Sequence, residues 1–241
     1  MQRLDKILVN LGKGSRSEIK ALAKASKIYV NGQKCLKTDI KLDPLVDEIV
    51  FCGEKVNFVE NIYIMLNKKA GYVSATEDNL SETVMDLLPL EYRKMKLFPV
   101  GRLDKDTEGL ILITNDGKLS HALMSPKHDV NKIYYAEVSG EILSEHTKIF
   151  ADGIVFRDDT KCKPAKLEIL ESSTISKALV TISEGKFHQV KNMFRVIDCT
   201  VTYLKRIKIA DLELDENLKL GESRLITDAE LEGLKYYAYG K

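Results

Sequence analysis

The stretch FPVGRLDKDTEGLILIT (residues 98–114) carries the clearest structural signal in the sequence. Its second half, residues 109–114, is an apolar run, and such a run predicts a buried strand. Its first half crowds charged residues between two glycines. Catalytic groups are often carried by loops that lead into a rigid strand. A surface turn with a solvated Arg102–Asp104 pair fits the same residues, so both interpretations stay open at this point.

The elements on either side of this stretch predict a mixed α+β domain. Apolar runs favour strands, and the helical spacing of Val190, Met193, Phe194 and Ile197 favours a helix with one buried face. The predicted elements are strands at 63–66, 133–138 and 178–183, a turn at 115–117, a short helix at 83–88 ended by Pro89, and a helix at 187–197. The sequence has no P-loop and no glycine-rich loop between a strand and a helix, so a nucleotide-binding fold is not supported.

The first 60 residues have a pattern of their own. Apolar residues at helical spacing predict a first helix, and Ser15 with Glu18 three residues later predicts a capping box that opens a second one. Asn31-Gly32, between short apolar runs, predicts a tight hairpin. The predicted elements are a helix through Leu4, Ile7, Leu8 and Leu11, a helix from 16 to 25, and strands at 28–30 and 48–51. We expect a small domain at residues 1–59 and a larger one at 60–241.

Positive charge is concentrated at the beginning of the chain. Residues 1–41 contain ten Lys or Arg against three Asp or Glu, a net charge of +7, whereas the whole chain is +1. A basic segment on a near-neutral body indicates contact with a polyanion. A solvated helical surface would give the same composition.

The N-terminal pattern resembles the S4 RNA-binding domain. The resemblance lies in Arg3-Leu4-Asp5-Lys6, in Ser15-Arg16 at the start of the second helix, and in Val30-Asn31-Gly32 at the turn. S4 domains place that helix and turn against RNA, and backbone phosphates would meet its cations without reading sequence. The RNA-binding residues that this predicts are Arg3, Arg16, Lys20, Lys24, Lys27 and Asn31.

The larger segment resembles the pseudouridine synthases of the RsuA and RluA type. Residues 101–110 match the signature Gly-Arg-Leu-Asp-x-x-Thr-x-Gly-Leu. Three further motifs follow the family order: Asn67-Lys68-Lys69-Ala70-Gly71, where Lys69 replaces the usual Pro, then Lys132-Ile133-Tyr134, then residues 184–194. The resemblance implies Asp104 as the catalytic carboxylate, Lys191 as its ionic partner, Tyr134 as the active-site tyrosine, and Arg102 as the residue that displaces the target base.

These residue types suit the chemistry that the resemblance implies. Pseudouridine formation breaks the N-glycosidic bond and rejoins the base through C5, so it needs neither metal nor redox cofactor. An ionised carboxylate must either attack covalently or accept the C2′ proton, and a lysine beside Asp104 favours its ionised form. Tyr134 offers a stacking face and a hydroxyl. His188 is a candidate for direct RNA contact. We expect no cofactor and no metal site.

Details of the motifs are closest to the RsuA subgroup (RsuA, RluB, RluE and RluF), whose namesake modifies small-subunit rRNA. They lie in residues 63–76 and 221–227, and in His121 with Ser125-Pro126. The expected substrate is therefore one uridine of 16S rRNA, in a partly assembled small subunit. One alternative is the same reaction on a 23S rRNA uridine. Another is an rRNA-binding assembly factor without catalysis, which would have no need of Asp104, Tyr134 and Lys191 together.

Two further expectations concern the setting of the protein. The sequence lacks a signal peptide and a run of about 18 apolar residues, so we expect it in the cytoplasm and away from membranes. Its four cysteines form no C-x-x-C pair and are expected to be reduced packing residues. We expect a monomer.

Overall fold

The computed structural model describes residues 1–240 and divides into two compact units. The first comprises residues 1–62 together with 88–97, and the second comprises the rest of the described chain. The order predicted from sequence, an S4-like α+β unit before a larger α+β unit, is confirmed. The domain boundary between residues 59 and 60 stays a prediction.

The N-terminal unit forms from local signals in the sequence. Ser15 accepts a hydrogen bond from the backbone N–H of Glu18, and the Glu18 carboxylate accepts one from the N–H of Ser15 at 2.7 Å, which is the predicted capping box. Asn31 and Gly32 have φ of 49° and 76° in the predicted hairpin turn. The elements are β1 (Gln2–Arg3), α1 (Leu4–Asn10), α2 (Arg16–Lys24), β2 (Ile28–Val30), β3 (Gln33–Lys34), β4 (Lys41–Leu42), β5 (Ile49–Phe51), β6 (Glu54–Lys55) and α3 (Leu90–Arg93).

The core of this unit lies between the two helices and the strands. The predicted apolar positions Leu4, Ile7 and Leu8 of α1 are fully buried, as is Ile19 of α2. The strands pair antiparallel in the order β3-β2-β5-β6, and β1 pairs with β4. The polar residues of α2 are left on its outer side.

The second unit is built on one large, mainly antiparallel sheet. Its elements are β7 (Tyr63–Lys68), a 3₁₀ turn (Val84–Leu87), β8 (Phe98–Val100), β9 (Glu108–Thr114), α4 (Gly117–Met124), β10 (Lys132–Ser139), α5 (His146–Asp152), β11 (Lys166–Glu171), β12 (Ile175–Ile182), α6 (Gln189–Val196), β13 (Thr200–Ile209), β14 (Leu212–Glu213), β15 (Ser223–Leu225) and α7 (Asp228–Tyr239). The main path of the sheet is β11-β12-β10-β13-β9-β7-β15, with β8 on β9 and β14 on β13. The pair of β13 with β9 is parallel.

The strand β9 holds the charged loop in place. Every residue of β9 is buried, as the apolar run predicted, and β9 lies between β7 and β13. Gly109 has a φ of 97°, and a side chain there would collide with the backbone of Arg206 on β13. Glycine at this position therefore lets the loop enter the sheet close to its neighbour.

Two expectations about local structure were wrong. Residues 115–117 were expected to form a turn, but Asp116 caps α4 by accepting hydrogen bonds from the N–H groups of Lys118 and Leu119, each at 3.0 Å. Pro89 was expected to end a helix, but it stands at the N-cap of α3, while the preceding residues form only a 3₁₀ turn. Proline suits a helix start because its fixed φ matches and no N–H is lost there.

Two further features concern the helices and the cysteines of the described residues. Within residues 1–240, no helix has the length and apolar character needed to cross a membrane. The four cysteines are all unpaired thiols, and Cys52 alone among them is exposed.

Candidate active site

The charged loop and helix α6 together form a cluster of charged side chains in the second unit. The ammonium of Lys191 on α6 lies 3.2 Å from Oδ2 of Asp104 and 2.6 Å from Oδ1 of Asp106. The side chain of Lys191 is only 16% exposed. A mostly buried lysine with two carboxylate partners keeps its proton, because both partners favour its charged form. The pairing of Asp104 with Lys191 that the resemblance implied is present in the geometry.

Asp106 was missed by the sequence interpretation, which assigned it no function. Burial would raise the pKa of the Asp106 carboxyl, but the hydrogen bond and charge of Lys191 outweigh it and lower the pKa. Burial likewise opposes the charge of Lys191, yet its two carboxylate partners raise its pKa above the ordinary value. Lys191 is therefore shared between two acids of one loop. No local pattern could have found this, because Asp106 and Lys191 are 85 residues apart.

A buried lysine holds the backbone of the same loop. Lys68 at the end of β7 is completely buried, and its ammonium donates hydrogen bonds to the carbonyl oxygens of Thr107 at 2.7 Å and of Asp104 and Lys105 at 3.1 Å. A fourth, longer contact reaches the carbonyl of Lys69 at 3.3 Å. Burial lowers the pKa of Lys68 to about 8, against the opposing charges of the nearby carboxylates. The sequence interpretation placed Lys68 in a motif but gave it no role.

The segment after Lys68 fastens the loop at two more points. The N–H of Gly71 donates to the carbonyl of Lys105 at 2.8 Å. The Ser74 hydroxyl donates to the carbonyl of Leu103 at 2.9 Å and accepts from its N–H at 3.0 Å. These contacts form with lysine at position 69, where the family pattern has proline. The loop is thus positioned by backbone hydrogen bonds on both sides of Asp104.

His188 lies against the charged loop, directly before α6. Its Nε2 is 3.7 Å from Oδ1 of Asp104, and its backbone is left-handed, with φ of 49°. Gln189 fixes this start of the helix, since it accepts from the N–H of Lys186 at 2.8 Å and donates to Glu184 at 3.0 Å. The apolar stripe predicted for α6 is confirmed, because Val190, Met193, Phe194 and Ile197 are all buried.

Arg102 and Tyr134 occupy different surroundings. Arg102 is exposed in the loop, two residues before Asp104. Tyr134 on β10 is 8% exposed and lies opposite Arg206 of β13, which in turn lies opposite Gly109 of β9. Two strand steps of about 4.8 Å each separate Tyr134 from the beginning of β9 by about 10 Å. The positions predicted for the chemistry therefore lie around the start of β9.

The N-terminal residues predicted to bind RNA divide into two groups. Arg16, Lys20 and Lys24 are exposed along α2, and the exposed Lys27 follows that helix. Arg3 and Asn31 instead have partners within their own unit. Arg3 pairs with Asp5 through two contacts of 2.8 and 3.0 Å, and its hydrogen bond lowers the pKa of Asp5. The Asn31 amide donates to Asp47 at 2.8 Å and accepts from the N–H of Glu48 at 2.9 Å.

Two family models of known proteins match this chain. Residues 62–195 match the family model described as RNA pseudouridylate synthase, and residues 2–44 match the model of the S4 domain. The chain belongs to the RNA pseudouridylate synthase family. The enzyme class that the resemblance implied is therefore confirmed, together with the N-terminal S4 domain.

Several pseudouridine synthases are similar to this chain over nearly its whole length. An uncharacterised RNA pseudouridine synthase of Bacillus subtilis, YtzG, is 43% identical over 95% of this chain and 96% of its own. Ribosomal small subunit pseudouridine synthase A of Haemophilus influenzae is 37% identical over 96% and 99%. Ribosomal large subunit pseudouridine synthase B of B. subtilis is 35% identical over 100% and 99%. A crystal structure of a pseudouridylate synthase superposes with a TM-score of 0.68, at 36% identity over 97% of this chain and 100% of that one.

Proposed function

We propose that the protein converts one uridine of 16S rRNA to pseudouridine, with Asp104 as the catalytic carboxylate and no cofactor. The observation that carries the assignment to Asp104 is its position 3.2 Å from the ammonium of Lys191, on a loop fixed by Lys68. The likeness to a small-subunit enzyme at 37% identity favours 16S rRNA. The likeness to a large-subunit enzyme at 35% keeps a 23S uridine as the alternative.

The proposed chemistry follows from the charges around the loop. Lys191 is proposed to hold the Asp104 carboxylate in place through their ion pair, so that it can attack the sugar or base, or accept the C2′ proton. The glycosidic bond breaks with its electron pair left on the uracil, the uracil turns, and C5 bonds to C1′; a C2′ proton taken up by Asp104 is returned to C2′. C5 then loses its proton and N1 gains one, so the product is an isomer of the substrate. Tyr134 is proposed to line the base and to take part in that proton transfer. Arg102, exposed before Asp104, would fill the stack that the target base leaves.

The N-terminal unit is proposed to dock the enzyme on rRNA. The exposed cations of α2 are spaced to meet successive phosphates of one backbone. Phosphate contacts position a protein without reading bases, so they suit the approach to a partly assembled small subunit. We propose that the protein acts there as a cytoplasmic monomer.

The first prediction concerns the carboxylate. Asp104→Asn keeps the shape of the side chain but removes the negative charge, so pseudouridine formation should fall below detection while rRNA affinity stays close to that of the wild type. The measurement is chemical mapping of pseudouridine in 16S and 23S rRNA, in cells that carry wild type, variant or no enzyme.

The matched control for this experiment is Asp106→Asn. It removes the other carboxylate beside Lys191 on the same loop and should retain measurable activity. Full activity of Asp104→Asn would refute the catalytic assignment. A pseudouridine lost only from 23S rRNA would refute the proposed target and keep the reaction. Unchanged pseudouridine everywhere, with rRNA binding intact, would favour an assembly factor.

A further inference from the structure

An exposed aromatic side chain, Phe187, lies beside the proposed catalytic loop and is not part of the buried core. Phe187 is 79% exposed. In the sequence it stands between Glu184 and Gln189, whose side chains are buried and hydrogen-bonded to each other. Single exposed apolar residues are common on protein surfaces, so exposure alone has no meaning. What distinguishes Phe187 is its partner. Its ring stacks on the His188 imidazole with centroids 3.8 Å apart and planes inclined by 18°.

The backbone presents this ring in a fixed orientation. His188 adopts a left-handed conformation, with φ of 49°, which fixes the direction of the chain just before α6. The carbonyl of Phe187 accepts a hydrogen bond from Asn192 at 3.3 Å, and Asn192 in turn accepts one from the exposed Arg195 at 3.0 Å. The main chain is thus anchored, while one face of the ring rests on His188 and the other faces water.

The position of the ring relates it to the reacting base. His188 is 3.7 Å from Asp104, so the ring of Phe187 is the next aromatic layer outward from the proposed catalytic carboxylate. A base on its open face would lie about 7 Å from the His188 plane, about two stacking steps of a nucleic acid strand. The guanidinium of Arg195, linked to the same segment through Asn192, is a cation that the adjoining phosphate can reach. A base-stacking ring beside a cation is the usual combination in single-strand RNA sites.

We propose that the open face of Phe187 binds an unpaired nucleobase of the RNA substrate, one or two nucleotides from the target uridine. This inference rests on the proposed function and adds a requirement to the substrate. Arg102 fills the gap that the target base leaves, and Phe187 gives a stacking partner to a flanking base that has itself left the stack. The enzyme thereby selects a uridine whose flanking nucleotide is free to unstack. His188 is the positioning residue that holds the ring.

The test compares four substitutions at position 187 with the wild type, on a 16S rRNA fragment that contains the uridine identified by cellular mapping. Phe187→Ala should raise KM about tenfold and leave kcat nearly unchanged, because stacking acts on binding. Phe187→Tyr and Phe187→Trp should restore the wild-type KM. Phe187→Leu, which is apolar but not aromatic, should behave like alanine. Urea unfolding should give the same midpoint for all four, since the ring is exposed.

The nucleotide partner is found by removing bases from the RNA. An abasic nucleotide at the stacked position should raise the KM of the wild type about as much as Phe187→Ala does, and should add nothing to the KM of that variant. Additive effects at every flanking position, or a leucine variant equal to tyrosine, would overturn the proposal.

A binding assay separates this proposal from the proposed function. In the Asp104→Asn background, RNA affinity measured by fluorescence anisotropy should show the same dependence on Phe187 and on the abasic position. If Asp104→Asn keeps full activity and this coupling persists, the catalytic proposal for Asp104 fails and the stacking site stands. If the wild type is active and the coupling is absent in both assays, the stacking site fails alone.

Discussion

At the scale of single residues, Lys68 is the group on which the position of Asp104 depends. It is a fully buried cation whose ammonium is hydrogen-bonded to carbonyl oxygens of the loop. Lys68→Met would leave those carbonyls without their donor, and a buried polar group left unpaired costs about 1–3 kcal/mol. We expect the free energy of unfolding to fall by about 3 kcal/mol and kcat to fall at least about tenfold, because the loop shifts. Urea unfolding and single-turnover kinetics measure both.

Because the pKa of Lys68 is lowered, the effect of Lys68→Met on stability should depend on pH. Burial lowers its pKa to about 8 in the folded protein, against an ordinary value of 10.5. Between these values the unfolded chain binds more protons, so stability rises with pH across that window. Lys68→Met should flatten the rise. Lys166→Met, at an exposed strand lysine paired with Glu168, is the matched control and should change neither stability, pH dependence nor turnover. If the stability of Lys68→Met rose with pH as steeply as that of the wild type, the pKa of Lys68 would not be lowered in the folded protein.

At the scale of secondary-structure elements, α4 begins at a local sequence signal, the Asp116 cap, and its other end packs against the charged loop. Its cap, Asp116, also accepts a hydrogen bond from the hydroxyl of Tyr63 at 2.8 Å. The other end of α4 carries Met124, whose sulfur packs on Gly101 and would have to move if that residue had a side chain. Asp116→Ala should therefore destabilise the protein by about 2 kcal/mol, seen as a lower urea midpoint. Asp116→Asn, which also caps helices well, should recover most of the loss. Equal losses in the two variants would exclude capping as the cause.

The same elements show what the sequence can and cannot predict. The capping box of α2 and the hairpin at Asn31 were predictable, because each depends on residues at most three positions apart. Asp116 was misinterpreted, because an Asp-Gly pair suits both a turn and a helix start. The buried Leu119 and Leu123, at helical spacing, are the signal that could have decided it. At the candidate site, the family resemblance predicted Asp104 and Lys191. Asp106 and Lys68 were missed since their partners lie 85 and up to 39 residues away.

At the scale of the whole molecule, the N-terminal charge and the catalytic loop have separable tasks. The cations of α2 and Lys27 are expected to govern rRNA affinity and its salt dependence, whereas Asp104 is proposed to govern the chemistry. Deleting the N-terminal segment is a poor test, because residues 88–97 belong to the same compact unit and would lose their packing. Charge removal by substitution keeps the fold and is the better design.

The prediction for the whole molecule is therefore a change in salt dependence. Replacing four exposed cations by glutamine, Arg16, Lys20, Lys24 and Lys27, should reduce the slope of log K against log salt concentration by about 3, at about 0.7–0.9 per phosphate contact. At saturating rRNA, kcat should stay near the wild-type value. The matched control replaces four exposed lysines of the second unit by glutamine, Lys127, Lys148, Lys161 and Lys219. Because both variants lose four charges, an equal change of slope would mean that net charge, and not the α2 surface, binds the RNA.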